Sequence, residues 1–185
     1  MQGRRDSGLS LVVHVCGVAV VLSALTQPLF AQNQPTTARE ESRVRSSSAA
    51  VRLLMQQTAD RSATFRSLVS RIDATNGLVY VEEAKCPYGA KACLYHQLQL
   101  SGPNRVLHIG LAVTRRDPIS VAASIGHELQ HAVEVLERRD VTTVEDMVGV
   151  WVSGLKMTTE RYETTDAIEA GIRVHEELVR TRDAH

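Results

Sequence analysis

The chain has 185 residues, of which 21 are basic and 21 acidic, so its formal net charge is zero. This length suits one domain with a modest hydrophobic core. Because the charge is balanced and no basic stripe appears, we expect no binding to nucleic acid.

The first 31 residues predict an export signal. Arg4 and Arg5 precede an almost wholly apolar run over residues 11–25, and Ala31 supplies a small residue before a polar stretch. This order matches a secretory signal peptide. An uncleaved membrane anchor is the alternative, although the run is shorter than the roughly 20 apolar residues of a span. We therefore expect export to the periplasm or exterior of a bacterial cell, with membrane attachment only if residues 11–25 are retained.

Loss of the signal would remove Cys16 and leave only Cys86 and Cys93. Two cysteines in an exported protein predict a disulfide, which here would close the loop CPYGAKAC. The alternative is a metal-binding pair completed by His96 or His108. A disulfide is favoured because six intervening residues are many for a zinc knuckle.

Polar residues 32–48 lack apolar periodicity and predict a flexible linker, after which residues 49–185 form the domain. Helical spacing of apolar residues covers 49–73, where Asp60 or Ser62 is a candidate cap for the second part. Three strand-like runs follow, at 78–84, 93–100 and 105–113. They predict a short antiparallel sheet, with the last run as the edge that holds an extended peptide.

Three helices are predicted after the sheet, at about 117–138, 142–154 and 159–180. Asp117 before Pro118 is a typical helix start, with a capping side chain followed by proline in the first turn. Thr142 and Glu145 resemble a capping box. The order of elements predicts an α+β domain, in which a short antiparallel sheet precedes these helices.

The first of these helices contains the sequence HELQH. Residues four apart lie on one helix face, so His127 and His131 can direct two imidazoles at one metal ion. Glu128 lies about 100° further round the helix, where it can reach a water on that ion. Zinc lowers the pKa of such a water to about 7, and a neighbouring carboxylate can take its proton. A surface helix with two solvated histidines is the alternative.

A catalytic zinc usually has three protein ligands and one open position. Glu137 stands where a metzincin carries its third histidine, so a ligand is expected further downstream. On the last helix, Glu163 falls on the small and apolar stripe, where an acid is costly unless paired or metal-bound. We predict it as the third ligand, with an arginine ion pair as the alternative. Glu134 and Asp166 are predicted to form hydrogen bonds to the ligand side chains without binding the metal themselves. For Glu134, an ion pair with an arginine is the alternative.

The segments GHELQHA, residues 126–132, and YETTDAIEAG, residues 162–171, together resemble the gluzincin branch of the zincin metallopeptidases. The chain also resembles small exported bacterial proteins with HExxH. The resemblance implies one zinc held by His127, His131 and Glu163, with Glu128 as general base. It also implies a zincin-like fold and a peptide or protein substrate bound along a strand edge. It is specific for the HExxH helix, weaker for residues 158–171 and architectural for 50–113.

Two other functions compete with zinc-dependent hydrolysis of peptide bonds. One is a non-catalytic zinc-binding module of the cell envelope, in which Glu134 would supply the fourth ligand of a closed site. The other is a helical adaptor with an accidental motif and no metal. Trp151 is assigned to the core. Side chains that could stabilise an oxyanion are His175, Tyr162, His108 and Tyr95.

Overall fold

The computed structural model describes residues 41–112, 117–153 and 163–182, and the helices and strands in these ranges confirm the α+β class. The predicted signal at 1–31 and residues 32–40 of the predicted linker lie outside the described residues. The helices are α1 (Ala49–Arg61), α2 (Ala63–Asp73), α3 (Pro118–Leu136), α4 (Val144–Ser153) and α5 (Thr165–Arg182). The strands are β1 (Val44–Arg45), β2 (Gly77–Glu83), β3 (Ala92–Leu94), β4 (Gln99–Ser101) and β5 (Asn104–Leu111). Among the described helices, none combines the length and the apolar character of a membrane span.

The strands form one mixed sheet in the order β1–β2–β5–β3, with β4 also paired to β5. The pairs β1–β2 and β2–β5 are parallel, whereas β3 and β4 run antiparallel to β5. The prediction of a wholly antiparallel sheet was therefore wrong, because β5 lies between β2 and β3 although it follows both along the chain. Most positions of β5 are buried, as expected for a strand in the middle of a sheet.

The predicted peptide-binding edge at 105–113 is also wrong, because β5 has neighbours on both sides. On the β3 side, the Tyr95 N–H donates to His108, and the Lys91 carbonyl accepts from Ala112. Backbone groups alternate in direction along a strand. The backbone groups of Ala92 and Leu94, which alternate with those of Lys91, Cys93 and Tyr95, therefore point away from β5, and β3 is an outer strand on this side of the sheet.

Part of the predicted linker is ordered against β2. Val44 pairs with Val79 and is buried. The backbone N–H and hydroxyl of Ser47 donate to the Glu82 carboxylate at 2.7 and 2.6 Å. Residues 44–48 thus belong to the folded domain, because β2 supplies hydrogen-bond partners for their polar groups. The apolar periodicity of the sequence gives no sign of this contact.

The predicted helix over 49–73 is two helices, α1 and α2, separated at Ser62. The backbone of Ser62 is extended, and its hydroxyl accepts a hydrogen bond from the Phe65 N–H at 3.0 Å, which confirms one of the two predicted caps. α3 begins as predicted, with the Asp117 carboxylate accepting from the Ser120 N–H at 2.9 Å. It ends two residues earlier than expected.

α4 and α5 both begin later than predicted. In α4 the reciprocal cap is formed by Thr143 and Asp146, each one position after the predicted pair, at 3.1 and 3.0 Å. In α5 the cap is Thr164, whose hydroxyl accepts from the Ala167 N–H at 3.2 Å. Residues 154–162, which include the predicted start of that helix, lie outside the described residues.

α3 packs against the sheet and against α5, and small residues allow the two helices to approach closely. A Cβ atom on Gly126 would lie 2.8 Å from a Val174 methyl group. A Cβ atom on Gly171 would lie 3.3 Å from the Cβ of His127 and 3.3 Å from the Ala123 carbonyl oxygen. This packing places the N-terminal end of α5 beside the histidines of α3.

Candidate metal centre

His127 and His131 lie on the same face of α3, as their spacing predicts. Their ring centroids are 4.9 Å apart and the rings are nearly perpendicular. His131 is buried, with 5% of its surface exposed, whereas His127 is partly buried. Two imidazoles therefore face one small volume at the side of the helix.

Glu163 completes a three-residue cluster with these histidines. Its carboxylate lies 3.0 Å from Nε2 of His127. One potential ligand atom from each of the three residues lies within 4.8 Å of the others. Two ligands of a tetrahedral zinc, each bound at about 2.0–2.1 Å, are roughly 3.3 Å apart. The three side chains therefore suit a zinc ion in both chemistry and spacing.

The position of Glu163 differs from the one expected. The sequence places it on the inner stripe of the last helix, but the helix begins two residues later, at Thr165. Glu163 instead precedes the capping residue Thr164 and reaches His127 because α5 packs closely on α3. The pKa of His127 is raised, since the hydrogen bond and the negative charges of Glu163, Glu128 and Glu134 outweigh the opposing effect of burial, which is the largest single contribution.

Glu134 contacts His131, which lies three residues earlier on α3. One carboxylate oxygen lies 3.2 Å from Nδ1 of His131, and the other accepts a hydrogen bond from the Thr164 hydroxyl at 2.7 Å. Burial alone would raise the pKa of Glu134, but these hydrogen bonds lower it. With the proton on Nδ1, His131 donates to Glu134 and keeps Nε2 available for a metal, an arrangement common behind metal-binding histidines.

Asp166, predicted for a similar supporting role, is exposed in the first turn of α5. Within the part of the chain that the structure describes, its carboxylate makes no hydrogen bond to a histidine. The acidic groups nearest the two imidazoles are those of Glu163 and Glu134.

Glu128 lies between α3 and the outer strand β3. One oxygen of its carboxylate accepts a hydrogen bond from the Leu94 backbone N–H at 2.8 Å. Burial raises the pKa of Glu128, and the neighbouring His127 and His131 only partly oppose this. The side chain is thus a partly buried acid held beside the histidines, with its pKa raised.

The cluster opens into a cleft of about 380 Å³. One wall carries His127, His131, Glu128 and Glu163. The other wall is formed by β3 and by the residues on either side of it, and it includes Pro87, Tyr88, Ala90, Ala92, Cys93, Leu94 and Tyr95. The three candidate ligands and the candidate base therefore border one space that is large enough for part of a peptide.

Cys86 and Cys93 form the predicted disulfide, with Cα atoms 5.7 Å apart. The alternative of a metal site built on these cysteines was therefore wrong. A disulfide is compatible with an exported protein. It closes the loop that borders the cleft, a relationship that the sequence does not reveal.

Trp151 and His96 are two further lining residues of the cleft. Trp151 is buried, as predicted, but its ring also lies 5.7 Å from that of His131. The His96 ring lies 5.4 Å from Trp151, and burial, followed by the charge of His131, lowers the pKa of His96. In the sequence His96 stands out only as a possible partner of the cysteines, because its proximity to His131 depends on the packing of β3 against α3.

Three of the four predicted oxyanion-stabilising candidates lie among the described residues, and the structure does not bring these three together. His108 stacks on Tyr80, with ring centroids 5.5 Å apart, and His175 is exposed on α5. Tyr95 lines the cleft, but its hydroxyl donates to the Lys85 carbonyl at 3.2 Å. Tyr162 lies outside the described residues.

Comparison of the chain with protein-family models, with curated proteins and with solved structures finds no match.

Proposed function

We propose that this protein is a zinc-dependent peptidase of the gluzincin type. The observation that carries the proposal is the convergence of His127, His131 and Glu163 within 4.8 Å, in a cleft that Glu128 also lines. Three ligands from an HExxH helix and a later acid are typical of a catalytic zinc, which keeps one position open. A structural site usually has four protein ligands.

His127, His131 and Glu163 would hold the ion. When bound, zinc polarises the carbonyl of the bond to be cleaved and makes a water molecule acidic enough to lose a proton near pH 7. Glu134 holds His131 from behind, so that the ring keeps the tautomer and orientation that binding needs. Its engagement with Thr164 also argues against a role as fourth ligand.

Glu128 would act as the general base. Its carboxylate removes the proton from the attacking water and later delivers that proton to the amine nitrogen of the leaving group. A pKa raised toward neutrality suits both steps, because an efficient base and acid has a pKa near the working pH. In the free protein the same carboxylate accepts from the Leu94 N–H, which holds it at the edge of β3.

The substrate would lie extended along β3. The outward backbone groups of this strand border the cleft beside Glu128, and an exposed strand edge can bind a peptide through main-chain hydrogen bonds. We further infer that the protein acts after export, in the periplasm or outside a bacterial cell, because the N-terminal pattern and the disulfide both suit that environment.

The test is zinc content and peptide hydrolysis by the purified protein, measured beside Glu128→Gln and Glu145→Gln. Glu145 is an exposed acid in the first turn of α4 and serves as the matched control. We expect one zinc per chain in all three proteins and cleavage by all but Glu128→Gln. Absence of stoichiometric zinc in the wild-type protein would contradict the proposal. Zinc binding without cleavage of a broad peptide library would favour a non-catalytic zinc module.

A further inference from the structure

The loop between Cys86 and Cys93 is held firmly at the mouth of the cleft. The disulfide joins its two ends, and Cys93 pairs with Gly110 of the central strand β5. Inside the loop, the Ala90 N–H donates to the Pro87 carbonyl at 3.1 Å. The loop is therefore a rigid part of the cleft wall, since covalent and hydrogen-bonded restraints act at its ends and in its middle.

Tyr88 occupies the turn of this loop in an unusual backbone conformation. Its φ is +52°, in the left-handed region that residues other than glycine, asparagine and aspartate rarely adopt. Tyr88 is 79% exposed. Strained backbone positions cluster at ligand-binding sites, where the surrounding structure holds them for a purpose. Here the disulfide-closed loop supplies that restraint, and the result is an aromatic ring presented at the surface.

Tyr88 lines the same cleft as the candidate ligands and base. The neighbouring lining residues on its wall are mainly apolar, among them Pro87, Ala90, Ala92 and Leu94. The charged residues on the described lining, Glu128 and Glu163, belong to the opposite wall. The lining of the cleft thus combines acidic groups beside the candidate metal site with apolar residues and the aromatic Tyr88 from β3 and the loop before it.

We propose that Tyr88 determines specificity by contacting an aromatic or large aliphatic side chain next to the bond to be cleaved. An aromatic side chain gives a large apolar contact area and loses little conformational entropy, particularly when the backbone beneath it is already fixed. This inference rests on the proposed function to the extent that the cleft must receive peptides. It adds the chemical class of the substrate residue, which the metal cluster alone does not specify.

The experiment measures peptide binding separately from cleavage. Zinc-loaded Glu128→Gln protein is titrated with matched hexapeptides that carry Phe, Leu, Ala or Ser on either side of one central bond. The measurement is repeated after adding Tyr88→Ala, Tyr88→Phe or Leu100→Ala to that background. Leu100 is the control because it is also a large exposed apolar residue, on β4 and outside the lining of the cleft. Hydrolysis of the same peptides by the protein that retains Glu128 is followed in parallel.

We expect the Phe peptide to bind about tenfold more tightly than the Ala peptide, as one additional apolar contact predicts. Tyr88→Ala should abolish this preference, whereas Tyr88→Phe and Leu100→Ala should retain it. A preference that survives Tyr88→Ala, equal binding of all peptides, or binding of none would each overturn the inference. If the preference depends on Tyr88 but no peptide is hydrolysed, the specificity assignment stands and the peptidase proposal fails.

Discussion

The carboxylate of Glu134 accepts a hydrogen bond from the Thr164 hydroxyl at 2.7 Å, across 30 positions of the chain. The other oxygen of the same carboxylate contacts Nδ1 of His131. Thr164 directly follows Glu163 and caps α5. One acid thus connects the helix that carries both histidines to the segment that carries the third candidate ligand.

Thr164→Val should weaken zinc binding by about tenfold, because the hydroxyl that fixes Glu134 and positions the Glu163 segment is lost. Competition with a chelator of known affinity measures the effect. Thr164→Ser, which keeps the hydroxyl, should restore most of the affinity. Thr165→Val is the adjacent control, at an exposed position. Equal zinc affinity in the Val and Ser variants at position 164 would contradict a positioning role.

Glu128→Gln should make the metal-free protein more stable at neutral pH. The pKa of Glu128 is raised from its usual 4.5 chiefly by burial, so the folded state disfavours the charged carboxylate. A neutral glutamine of similar size avoids that penalty and can still accept from the Leu94 N–H.

The effect of Glu128→Gln should also depend on pH. Below the unfolded pKa the glutamate is protonated in both states, so wild type and variant should have similar melting temperatures. The wild-type protein should lose stability relative to the variant as pH rises from that value through the raised folded pKa, and the difference should then stay constant. Melting curves of both metal-free proteins at pH 4 and 7.5 test this. A variant that melts below wild type at pH 7.5 would refute it.

Arg105→Met should destabilise the fold by about 3 kcal/mol, since it leaves buried carbonyl groups without a donor. Arg105 is only 2% exposed, and its guanidinium donates to the Leu136 and Arg138 carbonyls at 2.5 and 2.6 Å, at the end of α3. Burial lowers its pKa. Urea unfolding measures the loss, with Arg139→Met as a control at an exposed neighbour. Similar unfolding midpoints for the two variants would show that these bonds contribute little.

Alanine substitutions at two helical glycines should have opposite effects. A Cβ on Gly171 would meet the backbone of Ala123 and the Cβ of His127, both at 3.3 Å, and neither atom can rotate away. Gly171→Ala should therefore push α5 from α3, which should cost about 1 kcal/mol and weaken zinc binding. Among the described residues, no atom beyond the chain neighbours and the helix's own backbone lies within 4 Å of the Cβ position on Gly149, so Gly149→Ala should stabilise α4 by roughly 0.5–1 kcal/mol. Thermal unfolding and chelator competition compare both variants with wild type, and a Gly171→Ala protein with unchanged zinc affinity would contradict the argument.

Local features of the fold follow from the sequence because they depend on neighbouring residues. The spacing of His127 and His131 places them on one helix face, and the Asp117–Pro118 start defines where that helix begins. Ser62 caps α2 through a bond three residues ahead. Each of these contacts spans at most one helical turn, so composition and periodicity are sufficient to predict it.

The sheet order could not be predicted in this way. The run at 105–113 pairs antiparallel with residues of the run at 93–100, as expected, but it also pairs with β2 and so separates β2 from β3. The strand order depends on backbone hydrogen bonds between segments that are far apart in the sequence. The strand that buries most of its surface takes a central position in the sheet. The sequence does indicate a central position for β5 through its apolar residues Val106, Leu107 and Ile109, which are all buried in the structure.

The sequence by itself determined the helix that carries His127, Glu128 and His131, and the identity of the two cysteines that pair. Only the tertiary structure decided how Glu163 reaches this helix, that Glu134 rather than Asp166 contacts His131, and that Tyr88 borders the cleft. The physical reason is that these relationships depend on how closely α5 and β3 pack on α3. That distance depends on contacts between segments that lie far apart in the sequence, which no local pattern along the chain specifies.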